Sequence, residues 1–130
     1  MAKLVTLHDA NGEIIYPQTI SDMDYSTSEQ DTGCKWIDGK PIYKKTIDIG
    51  ALPNATSKNV AHGISALGII LDMRGAAFYS NGVQLPLPFV STVQTAVSLN
   101  ATSTDIAIVT AGDRTAASGY VTLWYTKTTD

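Results

Sequence analysis

The side chains that could transfer protons or attack a substrate are few in this chain and lie far apart. The 130 residues include two histidines, His8 and His62, and one cysteine, Cys34. The segment "GISAL" that follows His62 resembles a nucleophile elbow, but the last position of that motif is glycine and here it is Leu67. Acid–base and nucleophilic catalysis need a base within hydrogen-bond reach of its partner, and no such pattern is visible. The sequence therefore predicts a protein that is not an enzyme.

The sequence gives equally little support for a metal site or a cofactor site. The segment "DANGE" (9–13) resembles the start of a calcium loop, but its glycine comes too early and the distal glutamate is missing. A single cysteine excludes an intrachain disulfide, and zinc sites need several clustered ligands. We interpret Asp72, Asp105 and Asp113 as strand-end and turn residues, and Cys34 as a small apolar residue at a strand start. We expect no metal and no cofactor.

Charge and hydropathy argue against a nucleic-acid-binding protein and against a membrane-inserted one. The net charge is −3, and the basic residues are scattered except for Lys44-Lys45, so we expect no nucleic-acid partner. No run of 18 apolar residues occurs, so we expect no membrane insertion. The opening "MAKLVTLHDANG" lacks the apolar core of a signal peptide, which favours synthesis in the cytoplasm.

Composition and turn signals predict an all-β chain. Apolar residues make up 44% and charged residues 16%, and short β-prone segments recur at intervals of about 10 residues. Asp38-Gly39 and Asn81-Gly82 predict the turns of two hairpins, and "ALGIILDM" (66–73) is favoured as a strand. The segment "ALPNATSKN" (51–59) is expected to be a loop. A sandwich or a small barrel fits this pattern, and we expect an antiparallel, jelly-roll-like β-sandwich.

The chain is predicted to have two parts. Residues 3–16 alternate around a central turn signal and predict an N-terminal hairpin. Residues 21–33 are polar and acidic, which is typical of a spacer. We therefore divide the chain into 1–24, the hairpin with the start of the linker, and 25–130, a β-sandwich head.

The last predicted strand, "GYVTLWYTKT", carries an aromatic residue where a solvated sheet does not need one. Alternation places Val121, Leu123 and Tyr125 on the natural core side. The opposite side carries Tyr120, Thr122, Trp124 and Thr126. That side suits a subunit interface or a sugar-stacking surface, or else it is covered within the sandwich. Tyr120, Thr122 and Trp124 are thus the candidate oligomer interface or binding face.

Three stretches resemble, in this order, a domain that recurs at the end of bacteriophage fibre and tail proteins. They are "YSTSEQDTGCKWIDGKPIYKKTI", "SNGVQLPLPF" and "YVTLWYTKTTD", within residues 25–130. The residues that match the motifs are Tyr25, Ser26 and Glu29, then Trp36, Asp38, Gly39, Lys40, Pro41 and Tyr43, and finally Tyr125, Thr126, Lys127 and Thr128. The N-terminal hairpin resembles the leader of small phage head- or tail-fibre proteins.

The resemblance implies a structural protein of a phage particle, made in the host bacterial cytoplasm and located in the virion. It implies a short, homotrimeric fibre or spike on head or tail. Residues 1–20 would attach it to a capsid or tail protein, and the head would be displayed, with host-surface adhesion as a further role. The alternative is a glycan- or receptor-binding adhesin module. The aromatic candidates for contact with a host-surface glycan are Trp36, Tyr79, Tyr120 and Trp124.

Overall fold

Strands account for the regular structure of the protein. The computed structural model describes residues 24–130 and, for their backbone pairing, residues 7–8 and 14–15. The strands are β1 (Leu7–His8), β2 (Ile14–Ile15), β3 (Gln30–Lys35), β4 (Pro41–Ala51), β5 (Ser57–Ala61), β6 (Leu67–Tyr79), β7 (Gln84–Leu87), β8 (Val97–Ala101), β9 (Asp105–Thr110) and β10 (Ala117–Lys127). The described residues contain no helix. No segment in this part of the chain therefore forms a helix long and apolar enough to span a membrane.

Two antiparallel sheets make up the head. The larger has five strands in the order β3-β4-β10-β6-β7, and the smaller has three in the order β5-β9-β8. β10 is the central strand of the larger sheet, where Val121 lies opposite Ile47 of β4 and Gly75 of β6. The predicted all-β, antiparallel β-sandwich is confirmed, whereas its jelly-roll character stays a prediction.

The core lies between the two sheets, and every second side chain of β10 from Val121 to Tyr125 belongs to it. Val121, Leu123 and Tyr125 are each 0% exposed, as predicted. They pack in one cluster with Ile106 and Ile108 of β9. Burying an aliphatic or aromatic side chain contributes about 1.5–3 kcal/mol, so this row ties the larger sheet to the smaller one.

Both glycine-containing hairpins form at the predicted turns. In the β3–β4 turn, Trp36 N donates to Lys40 O at 2.9 Å. In the β6–β7 turn, Tyr79 N donates to Val83 O at 2.9 Å. Asn81 Oδ1 also accepts a bond from Val83 N at 3.0 Å. β7 is an edge strand, which is where a strand that contains proline is tolerated.

The segment expected to be a loop at residues 51–59 is partly a strand. Its last three residues begin β5, an edge strand of the smaller sheet. The Nζ atom of Lys58 donates to the carbonyl oxygens of Ile49 and Ala51, each at 2.8 Å. An edge strand with one face in solvent buries few side chains, so its sequence lacks the apolar alternation that predicts a strand.

The N-terminal hairpin prediction agrees with the described residues. Leu7 pairs with Ile15 and His8 with Ile14 in antiparallel register. The predicted turn between them, and residues 21–23 of the predicted spacer, lie outside the described residues.

The spacer prediction is wrong for residues 30–33, which belong to β3. Just before this strand, the Ser26 carbonyl oxygen accepts a hydrogen bond from Thr46 N at 2.9 Å. Residues 26–33 therefore pack on the head. Residues 30–33 are polar, and a polar sequence is compatible with a strand here because β3 lies at the edge of the sheet.

The turn assignments can be tested by replacing Gly39 or Gly82 with valine. Their φ angles are +86° and +90°, and a Cβ atom at either position would meet nothing within 4 Å. The cost is thus that of the left-handed backbone alone, about 1–2 kcal/mol of unfolding free energy in urea titration. Asparagine, which tolerates this conformation, should cost less at both sites. Valine variants as stable as the wild type would contradict the assignments.

Candidate functional site

The three candidate residues of β10 lie together on one side of the five-stranded sheet. We call the side that points away from the smaller sheet the outer face. Its three central rows are Asp48, Tyr120 and Ala76; Thr46, Thr122 and Arg74; and Lys44, Trp124 and Asp72. Thr126 was expected on the same side, but the register shifts beyond Trp124 and Thr126 is buried. Its Oγ1 accepts a hydrogen bond from Ile69 N at 3.3 Å.

Two clefts adjoin each other on the outer face. The first, of about 350 Å³, is lined by Tyr25, Tyr120 and Thr122 among others. The second, of about 440 Å³, is lined by Trp36 together with aliphatic side chains of β4 and β6. Trp124 and Arg74 line both clefts. The outer face is therefore a continuous, shallow surface on which aromatic rings alternate with polar and aliphatic side chains.

Four polar side chains of the outer face are paired with one another. Arg74 Nε lies 2.9 Å from Asp72 Oδ2, and its guanidinium lies 5.9 Å from the Trp124 ring centroid. The hydroxyls of Thr46 and Thr122 are 2.8 Å apart and share a hydrogen bond. The charges of Asp72 and Arg74 thus compensate each other, whereas Asp48 is exposed on the same face.

The structure brings together three of the four aromatic residues considered for glycan contact. Trp36, Tyr120 and Trp124 line the clefts of the outer face. Tyr79 instead accepts a hydrogen bond from Arg114 Nη1 at 3.0 Å and packs against the core.

His62 and Cys34 carry side chains of types that can act in catalysis, and the structure shows what surrounds each of them. His62 is 1% exposed, its Nδ1 accepts from Ile64 N at 3.1 Å, and its Nε2 donates to Thr102 O at 3.0 Å. Both ring nitrogens therefore hold the backbone around β5. Cys34 is exposed and lies near the end of β3, so its assignment as a small apolar residue at a strand start is wrong. An edge strand offers it no covering layer.

The three aspartates that were interpreted as strand-end and turn residues fall into two groups. Asp105 begins β9 and Asp113 accepts two bonds from Thr115 in a turn, as expected. Asp72 lies in the middle of β6 and pairs with Arg74, so its assignment as a strand-end or turn residue is wrong. Among residues 24–130, no group of three or more His, Cys, Asp or Glu is placed to hold a metal ion.

A second polar site, which sequence reasoning missed, closes one end of the sandwich. The Tyr125 hydroxyl donates to Glu29 Oε2 at 2.6 Å, and Lys127 Nζ donates to Glu29 Oε1 at 2.7 Å. Tyr43 stacks on Tyr125 with ring centroids 6.0 Å apart. We call Glu29, Tyr43, Tyr125 and Lys127 the end cluster. It fastens the residues before β3 to the central strand.

The environment of the end cluster keeps both tyrosines protonated. Burial, with a smaller contribution from the hydrogen bond to Glu29, raises the pKa of Tyr125 far above its usual value. The hydrogen bond to the Asp130 carboxylate, together with burial, raises the pKa of Tyr43 from 10.0 to about 12. Both shifts favour the neutral phenol in the folded state.

Comparison with protein-family models, with curated proteins and with solved structures finds no match to this chain.

The tyrosine shifts predict a loss of stability at high pH. In the unfolded chain Tyr43 ionises near pH 10, whereas in the folded chain it stays neutral up to about pH 12. Its contribution is therefore complete below pH 10 and is lost as the pH rises from 10 to about 12. Urea titrations in this window should show a falling free energy of unfolding. Tyr43→Phe should make the fall less steep, and equal slopes for both proteins would contradict the assignment.

The end cluster predicts coupling between two distant residues. Glu29→Ala leaves the buried Tyr125 hydroxyl without its acceptor, which should lower the unfolding free energy by about 2 kcal/mol. Tyr125→Phe removes the same bond, so the double variant should lose less than the sum of the two single losses.

The matched control for this cycle is Asp31→Ala. Asp31 lies two residues after Glu29, within the edge strand β3, and its carboxylate accepts a local bond from Gly33 N. It should change stability by about 0.5 kcal/mol or less. Strict additivity of the Glu29 and Tyr125 variants would show that the bond does not contribute.

Proposed function

We propose that this chain is a structural protein of a bacteriophage particle, a short homotrimeric fibre or spike on head or tail. In this proposal the N-terminal hairpin attaches to a capsid or tail protein. The β-sandwich head is displayed outward, where it serves host-surface adhesion. In this proposal the protein acts by assembly and contact and not as an enzyme.

One observation carries the proposal beyond the sequence resemblance. Motif residues from the first and last matching stretches meet in the end cluster, although Glu29 and Tyr125 are 96 residues apart. Tyr43, from the continuation of the first stretch, stacks on the same Tyr125. Isolated turn or strand motifs would match by chance without being neighbours in space. Their convergence supports a likeness between whole domains rather than between separate hairpins.

The division of the chain also supports the proposal. From Glu29 onward the described residues are fastened to the head, whereas β1 pairs with β2. A two-stranded hairpin is marginal in water, so it gains most of its stability from a partner. A particle surface would provide that partner.

A glycan- or receptor-binding adhesin module is the second candidate. The observation that favours it is the shared position of Trp36, Tyr120 and Trp124 beside the Asp72–Arg74 ion pair. Aromatic rings with a few polar groups at their edge are suited to stacking a sugar ring. A glycan-array screen tests this role, with Trp124→Ala as the binding-deficient control.

Two N-terminal deletions test the proposed function. Removing residues 1–24 should leave the melting temperature of the head nearly unchanged, because Glu29 and β3 remain. The same deletion should abolish incorporation into particles of the phage that encodes the chain, measured by immunoblot of purified virions. Wild-type chain missing from those virions would contradict the proposal, and efficient incorporation of the deletion variant would contradict N-terminal attachment.

Removing residues 1–33 is the matched control for folding. This longer deletion takes away Glu29 and four of the six residues of β3, so the head should lose about 2 kcal/mol or more of unfolding free energy. Equal melting of the two deletion variants would show that residues 25–33 do not belong to the head.

A further inference from the structure

A third cleft, which we call the side cleft, bridges the two sheets beside β4 and the end of β5. Its volume is about 290 Å³, and three segments line it: Thr27 before β3, residues 45–48 of β4, and residues 61–63. Of these residues, Thr46 alone also lines a cleft of the outer face. The side cleft is therefore separate from the aromatic surface around Trp124.

Lys45 brings a positive charge into this cleft from the core side of β4. It lies opposite Leu123, which is 0% exposed, and it shares its side of the strand with the buried Ile47. A lysine stem commonly covers apolar surface in this way while its charged end reaches a more polar place. The Nζ atom of Lys45 lies 3.1 Å from the position that a Cβ atom of Gly63 would occupy. The ammonium group therefore lies against the wall formed by residues 61–63.

Lys45 lacks the partner that comparable cations of the head have. Within residues 24–130 it makes no hydrogen bond, ion pair or ring contact. The other buried or half-buried cations in this range contact an acceptor or an aromatic ring: Lys40 the Lys127 carbonyl, Lys44 the Tyr25 ring, Lys58 two carbonyls of β4, Arg114 Tyr79 and Thr95, and Lys127 Glu29. A half-buried charge is stabilised by a charged hydrogen-bond acceptor, so the side cleft favours an anion.

Asp48 and Thr27 restrict which anion fits beside Lys45. The Oδ1 atom of Asp48 accepts a hydrogen bond from Gly50 N at 2.9 Å, whereas its Oδ2 atom and the Thr27 hydroxyl make no bond within the described residues. The negative charge of Asp48 disfavours a doubly charged phosphate more than a singly charged carboxylate. Asp48 Oδ2 can accept from ligand hydroxyls, and the Thr27 hydroxyl can donate or accept. The lining thus favours a molecule that carries one carboxylate and several hydroxyls.

The wall opposite β4 is already fixed in the single chain. The ring of His62 is buried, and its two nitrogens bond to the backbone of Ile64 and Thr102. These bonds hold the segment that Lys45 contacts. A wall that is fixed before binding lowers the cost of ordering the site around a ligand. The volume of the cleft is at the small end of ligand sites, which suits a single sugar ring.

We propose that the side cleft binds a sugar acid, a monosaccharide unit that carries one carboxylate. Its carboxylate accepts a hydrogen bond from Lys45 Nζ, and its ring hydroxyls bond to Asp48 and Thr27. This inference rests on the proposed role in host-surface adhesion, and it adds the class of saccharide and the residues that bind it. The site is distinct from the aromatic residues of the outer face.

Titration of the full chain with D-glucuronate tests the inference, with binding followed through the amide chemical shifts of residues 45–48 and 61–63. D-glucose and acetate each offer only one part of the proposed ligand. Each should bind about tenfold or more weakly than glucuronate, because it loses the hydrogen bonds of the other part. Inorganic phosphate should bind no better than acetate, because Asp48 repels its second charge.

Three variants assign the contacts. Lys45→Met keeps an unbranched apolar stem beside Leu123 but removes the ammonium group, so it should weaken glucuronate binding about tenfold or more. Lys35→Met is the matched control, because it makes the same change of charge at an exposed lysine of β3 that does not line the cleft. It should bind glucuronate as the wild type does. Asp48→Ala should reduce the preference for glucuronate over acetate, since only the sugar contacts Asp48.

The titration of the wild type does not depend on how any variant folds. The inference is overturned if a large excess of glucuronate shifts none of the cleft amides, or if Lys45→Met binds glucuronate as tightly as Lys35→Met does. Equal responses to glucuronate, acetate and phosphate would also overturn it, since they would show an unselective anion site. None of these results bears on incorporation into virions, which tests the proposed function separately.

Discussion

The alternation of side chains along β10 is the constraint on which the rest of the structure depends. As the central strand of the larger sheet, β10 commits each residue either to the core or to the outer face. A shift by one residue would exchange the two sets and place Tyr120 and Trp124 in the core. Gly119 helps to fix the register, because a Cβ atom there would collide with the Ala76 carbonyl oxygen. The stability of the head and the character of its outer face are therefore set by the same strand.

Features that depend on neighbouring residues could be predicted from the sequence. Asn81-Gly82 and Asp38-Gly39 specify tight turns through their own backbone preferences, and both turns form as predicted. The alternation in β10 predicts which of its side chains enter the core because the strand is long and its pairing is regular from Tyr120 to Trp124. The placement of Tyr120, Thr122 and Trp124 on one face followed from the same period of two.

Features that depend on distant partners could not be predicted in this way. Nothing near Glu29 indicates that its carboxylate binds Tyr125 and Lys127, so a polar segment was interpreted as a spacer. β5 begins with polar residues because it is an edge strand, and Lys58 is held by carbonyl oxygens of β4. Thr126 leaves the outer face because of a register shift that only the pairing with β6 determines. In each case a long-range contact overrides the local pattern.

The end cluster and the outer face are both built on β10, and both enter the proposed function. The first fastens the chain that follows the N-terminal hairpin to β10, and the second is the other side of β10, which carries the candidate oligomer interface or binding face. The most direct test of this account is the fluorescence of Trp124 in a Trp36→Phe chain, followed from high to low concentration together with the sedimenting mass. We predict that the emission of Trp124 shifts to longer wavelength as the trimer dissociates, because its ring becomes exposed to water. An emission that stays constant while the mass falls to that of the single chain would contradict the account.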